Sequence, residues 1–299
     1  MSDNENFDVT PHSNASKIIA FLYSSIVYLG VWILLIYVVG FVGNYFGPAL
    51  ETEWRDVLPL KSIDMGKAEP FVIAFLINTG LMIMLGLQHS IMPRKFYKRF
   101  ITRFIPVHLE RSTYIVCAIA AFSLLMWQWR PIEGTVWRID DPIIGAIINA
   151  IGLAGWLIVL IATFQVGHWG IFGVAQSLDY IQDKPYTFDK SPCLSQAYFK
   201  SGWPVAYTRL WNLSRHPDFL GFIVAFWFTS HMTVGHLMFA IGLTLYIMIG
   251  IFLLERNFVE VYGRNYELYI AGRSKILPWF PPAKPEVNTS CPHKSTRDV

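Results

Sequence analysis

The sequence predicts an all-α, polytopic transmembrane helical bundle of five to six membrane segments, closed by a C-terminal helical hairpin. Three observations predict it. Of the 299 residues, 54% are hydrophobic and 15% charged, whereas soluble domains carry roughly 25% charged residues. The apolar residues gather into runs close to the ~20 residues a helix needs to cross the hydrocarbon layer. The lysines and arginines fall mostly on alternate sides of those runs, as the positive-inside rule requires.

Along the chain, residues 1–16 are polar and carry Asp3, Glu5 and Asp8. They read as a disordered tail, and no basic, cleavable signal precedes the first apolar run. Residues 17–280 read as a single membrane domain and 281–299 as a second polar tail. Four runs have spanning length or nearly so: Ile18–Val42, Phe71–Leu87, Ser112–Trp129 and Ile143–Val166. A fifth, Phe219–Glu255, is too long for one crossing and is interrupted at His231–His236, so it reads as a hairpin. Its first arm, Phe219–Ser230, would extend about 18 Å at about 1.5 Å per residue, short for a full crossing. With the N-terminus inside, 19 of the 24 basic residues fall on inner segments. Both ends are therefore expected at the cytoplasmic face.

The same topology gathers the unusual polar residues at the inner face. Gln88-His89-Ser90 ends the second span there and Glu110-Arg111-Ser112 opens the third, with Glu110 expected to partner Arg111. Gln165 and His168 close the fourth, Arg215-His216-Pro217 opens the hairpin, and Glu255-Arg256 ends it. Such groups are costly at membrane depth unless they pair or bind something polar. At the outer face, Trp127, Trp129 and Trp137 read as an interfacial aromatic belt, and His231 and His236 as residues of the hairpin turn.

Several function classes are excluded. The net charge of +3 is too small for a nucleic-acid footprint. Cys117, Cys193 and Cys291 have neither disulfide nor metal-ligand spacing, and no metal site is expected. A glycine-rich dinucleotide turn between strand and helix is absent.

The strongest local signal is Arg215-His216-Pro217-Asp218-Phe219-Leu220-Gly221. Arginine offers a donor fork suited to a carboxylate, histidine donates or accepts near neutral pH, and proline suits the first helical turn. Gly221 permits close approach of backbone or ligand. Farther on come Glu255, Gly263 as a possible helix cap, Tyr266 and Tyr269 on one helix face, Gly272 and Pro278.

Together these residues resemble the C-terminal signature of the isoprenylcysteine carboxyl methyltransferase superfamily. Within it the closer resemblance is to the methanethiol S-methyltransferases, a branch near the NnrU-like membrane proteins. Supporting blocks are Gly86–Ser90, Glu110–Tyr114, Trp127–Pro131, His168 with Phe172-Gly173, and Thr233–His236. The resemblance implies S-adenosylmethionine as methyl donor and a small thiol, methanethiol above all, as acceptor. It implies that Arg215, His216, Gly221, Glu255 and Tyr266 bind the donor, with Glu255 on its amino group or ribose. A thiol acceptor needs a base, and the inner-face candidates are His216, His168 and His89, in that order. This chain departs from its relatives in having Leu254-Glu255 where two acidic residues often stand, and in a longer inner segment from Gln176 to Pro204. The competing readings are a methyltransferase for another thiol or for isoprenylcysteine, an NADPH-dependent sterol-type reductase with a related Arg-His-Pro terminus, and a transport or scaffold protein.

Overall fold

A computed structural model describes residues 13–46, 60–184, 210–262, 264–271 and 273–277. The N-terminal tail as far as residue 12, the stretch 185–209, Gly263, Gly272, Pro278 and the C-terminal tail lie outside the described residues.

Among the described residues, five helices are long and apolar enough to cross a membrane. Helix α1 runs Asn14–Val42, opened by Ser13, whose hydroxyl accepts from the Ser16 amide. It therefore begins one turn ahead of the expected span. Helix α2 (Phe71–Ile91) is followed by the short basic α3 (Lys95–Ile101), and α4 (Glu110–Gln128) by strand β1 (Thr135–Arg138). Helix α5 (Pro142–Val166) has Asp141 accepting from the Ile143 and Ile144 amides and Pro142 in its first turn, and stops at Gly167 with φ of 117°. The chain then makes α6 (His168–Ile171), α7 (Val174–Ile181), α8 (Leu210–Leu213), α9 (Pro217–Trp227), strand β2 (His231–Thr233), α10 (Val234–Tyr262) and α11 (Arg264–Ala271). The protein is an all-α polytopic membrane bundle. Rows such as Ile18, Leu22, Ile26, Leu29, Ile33 and Ile36 on α1 stay exposed on its outer side, the pattern lipid demands.

The C-terminal hairpin is present, with a short first arm. Helix α9 has 11 residues, roughly 16 Å of rise. The expected turn at His231–His236 is instead strand β2 followed directly by the first residues of α10: β2 pairs antiparallel with β1, aligning Thr135 with Thr233 and Arg138 with His231. Backbone that leaves the helical state at this depth needs partners, and the ribbon provides them. The aromatic belt also divides. Trp127 is exposed, but Trp129 is fully buried against Phe239, and Trp137 donates to the Thr229 carbonyl at 3.0 Å.

Helix α9 lies along α5, the most extensive helix pairing in the molecule. Gly152 faces the Phe228 carbonyl, and Gly155 and Gly221 face each other. A Cβ on either of that pair would stand 2.6 Å from the other's carbonyl oxygen. Small residues permit this approach, as in other membrane helix pairs. Helices α1, α2, α4, α9 and α10 then enclose an apolar core of Phe41, Leu125, Met126, Trp129, Phe226 and Phe239. The segment expected as a long inner loop begins as helix α7, which packs along the first half of α1 and pairs Asp183 with Lys17.

Candidate active site

Sequence-distant residues meet where α9 begins and α10 ends. Pro217 starts α9 and restricts the residue before it, so Arg215 and His216 lie in non-helical backbone just ahead of the helix. The Arg215 amide donates to the Ser274 carbonyl at 3.0 Å, so the segment after α11 runs beside it. Arg215 Nε donates to Glu255 Oε1 at 2.8 Å, and Nη1 donates to the carbonyls of Ile270 (2.8 Å) and Arg273 (2.9 Å). One guanidinium thus joins α9, α10 and α11, and Nη2 is its donor pair not committed to the described residues. Glu255 Oε1 also meets His216 Nε2 at 3.0 Å, and Oε2 lies 3.7 Å from Lys275 Nζ. A carboxylate there requires His216 to donate through Nε2.

The surroundings are dry. Arg215 and His216 are buried, as are Tyr266 and Tyr269 on α11. Burial, reinforced for Tyr266 by the Glu255 charge, holds both phenols well above their usual range, so they remain neutral donors. Tyr269 donates to the Trp211 carbonyl at 3.1 Å, and Trp211 Nε1 donates to the Ala162 carbonyl at 3.3 Å. That chain of contacts fastens α11 and α8 beneath α5. Sequence reasoning gave Asp218 no role, yet its Oδ1 is buried beside His216 and has no hydrogen-bond partner among the described residues. The clue lay in the sequence: an acidic residue in the first turn of an apolar helix.

The structure therefore brings Arg215, His216, Glu255 and Tyr266 into one cluster. Gly221 lies a turn up α9, in the seam with α5, where the space beside its Cα is filled by Gly155 and Val159. His89 sits in the α2–α4 seam. Its Nδ1 is 3.3 Å from the Leu85 carbonyl and its ring packs between Tyr114 and Phe122. His168 occupies a separate aromatic setting between α1 and α5, formed with Tyr28, Trp32, Phe164, Trp169 and Phe172. The expected pairing of Glu110 with Arg111 gives way to two others: Glu110 lies 3.4 Å from Lys98, and Arg111 donates to the Ile171 carbonyl. A cleft of about 360 Å³ at the opposite end of the bundle, lined by Asn44, Asp64, Asn149 and His231 among others, is remote from this cluster. Among the described residues no group of three or more acidic, histidine or cysteine side chains could hold a metal ion.

Fold and site together define a polytopic membrane protein with a buried, charged side-chain cluster where its helix ends converge. The chain is 35% identical to methanethiol S-methyltransferase 1 of Bradyrhizobium diazoefficiens over 280 residues, 93% of this chain and 89% of that protein. It is 36% identical to the methanethiol S-methyltransferase of Crocosphaera subtropica over 268 residues, 90% of this chain and 95% of that one. The similarity to Nurim of Xenopus laevis is more distant, 26% over 180 residues, covering 57% of this chain and 58% of that protein. No family model and no solved structure matches. The chain belongs to the methanethiol S-methyltransferase family.

Proposed function

We propose that this protein methylates the sulfur of methanethiol to give dimethyl sulfide, with S-adenosylmethionine as donor, at the cytoplasmic face of the membrane. The substrate is supported by the shared name of its relatives. The orientation is supported by 19 of 24 basic residues falling on the side that carries the cluster.

One observation supports the donor most directly: a buried, hydrogen-bonded charge cluster in which an acceptor and a donor are left without a partner among the described residues. The donor's amino-acid end carries an ammonium and a carboxylate. On the accepting side the site has Asp218 Oδ1, which has no hydrogen-bond partner among the described residues. On the donating side it has Arg215 Nη2, with the half-exposed Lys275 nearby, 3.7 Å from Glu255 Oε2. The residues present fit such a group. When bound, S-adenosylmethionine supplies a methyl group activated by its sulfonium. Arg215 and His216 hold the Glu255 carboxylate in one orientation, and Tyr266, Tyr269 and Phe258 add aromatic faces that attract a cation. Holding donor and acceptor in line contributes about 7–11 kcal/mol to a displacement of this kind.

The test is direct. Detergent-purified protein is incubated with labelled S-adenosylmethionine and a panel of thiols, and the headspace gas is analysed. Labelled dimethyl sulfide from methanethiol is expected. Product from none of the thiols, or calorimetric binding of NADPH in place of S-adenosylmethionine, overturns the reading.

A further inference from the structure

Outside the charged cluster, His168 is a buried polar side chain with both ring nitrogens within hydrogen-bond distance of hydroxyls. It sits in a turn bounded by two glycines in left-handed backbone, Gly167 (φ 117°) and Gly173 (φ 89°). A side chain at either position would be strained, and at Gly173 a Cβ would also stand 2.4 Å from Ser112 Oγ. Arg111 and Gln176 hold the turn from two sides, donating to the carbonyls of Ile171 (2.6 Å) and Gly170 (2.9 Å). The imidazole stacks on Phe164 with ring centres 3.9 Å apart.

Both ring nitrogens are engaged, and their partners assign the tautomer. The Thr163 hydroxyl donates to the Leu160 carbonyl at 2.8 Å, so towards His168 Nδ1, 3.0 Å away, it can only accept. Nδ1 therefore carries the hydrogen. Nε2 presents its lone pair to the Tyr28 hydroxyl at 3.0 Å. The phenol proton points at the imidazole, and the oxygen's own lone pairs remain available. Burial holds the imidazole below its ordinary pKa, which favours the neutral, accepting form.

We propose that Tyr28 and His168 form the relay that deprotonates the thiol acceptor. The thiol S–H bond breaks and its proton passes to the Tyr28 oxygen. The Tyr28 proton moves to His168 Nε2, and the electron pair stays on sulfur as the attacking thiolate. Thr163 is a positioning residue that keeps Nε2 free to accept. The step rests on the thiol methyltransferase reading above and deepens it.

Its location suits an apolar acceptor. Phe164 and Trp169 are about half exposed on the lipid-facing side, so a thiol dissolved in the bilayer meets the aromatic cage without crossing water. Ile171, in the same turn, packs on the Ala162, Val166 and Trp211 layer, and Arg215 follows Trp211 by four residues. Tyr269, beside the charged cluster, donates to the Trp211 carbonyl, so the Trp211 layer touches both settings.

The test compares methanethiol with trifluoroethanethiol, a small thiol largely ionised at mildly alkaline pH. Tyr28→Phe should lose about 100-fold or more in turnover of methanethiol, within the 10²–10⁴ range of general-base catalysis. It should lose only a few-fold with the pre-ionised thiol, and should bind S-adenosylmethionine in calorimetry as the parent does. Thr163→Val should show the same bias in weaker form, and Thr163→Ser should restore activity. Equal losses with both thiols, or no loss, overturn the relay. If the parent methylates neither thiol, the methyltransferase reading itself fails. Should Tyr28→Phe not survive purification, His168→Gln in the same two-thiol comparison decides.

Discussion

At the scale of single residues, Glu255 carries the most consequence. Its carboxylate accepts from Arg215 and His216 and faces Lys275, so its charge balances a buried guanidinium. Removing one partner of a buried ion pair costs about 3–5 kcal/mol, because the other charge is left uncompensated. Glu255→Ala should therefore lower the thermal midpoint in detergent substantially and abolish donor binding. Glu255→Gln keeps an oxygen for Arg215 Nε, and should retain most of the stability while weakening S-adenosylmethionine binding at least tenfold by calorimetry. Equal donor affinity in parent and Gln variant would show that the carboxylate serves the fold alone. That Arg215 and Glu255 act together was legible from their types and their shared predicted face. That Arg215 also ties down the Ile270 and Arg273 carbonyls was not, because backbone carbonyls carry no sequence signature.

At the scale of elements, the α5–α9 seam positions the site, since Pro217 and the residues before it hang from the end of α9. The carbonyls of Gly155 and Gly221 each occupy the place of the other's missing side chain. Gly155→Val must push the helices apart, and overpacking of this kind costs about 1–3 kcal/mol or more. The thermal midpoint should fall, and methyl-transfer activity should fall with it as Arg215 shifts from Glu255. Gly80 and Gly250 give the contrast: each lies within a helix with nothing within 4 Å of an added Cβ. Alanine at either should be neutral or stabilising by about 0.5–1 kcal/mol, the usual helix preference over glycine. Gly221 was singled out from sequence as a point of close approach, and such an approach exists, between two helices. Sequence spacing indicates that a small residue is needed without indicating which surface comes near.

At the scale of the whole molecule, the cluster forms only when α9, α10 and α11 are all docked, so a ligand bound there should stabilise the fold as a unit. Donor at about 100 times its dissociation constant should add about 2.7 kcal/mol. The thermal midpoint in detergent should rise with S-adenosylmethionine, the rise should vanish in Glu255→Ala, and NADPH should have no effect. A rise that persisted undiminished in Glu255→Ala would place its site outside this cluster, and no rise at all would show that the donor does not bind. The relay of Tyr28 and His168 also belongs to this scale, because it joins the first helix to a turn 140 residues later.

Taken by itself, the sequence determined the membrane spans, the C-terminal hairpin, the gathering of polar groups on one face and the family, since each follows from hydropathy, charge placement or local motif, all additive along the chain. Only the tertiary structure decided that Trp129 is core, that the hairpin turn is a paired strand, that Glu110 meets Lys98, and that His168 is held by Tyr28 and Thr163 while His216 is spent on Glu255. Those outcomes depend on which helix faces meet and how closely. Contacts between residues far apart in the chain are set by packing of the whole bundle, which no local pattern encodes.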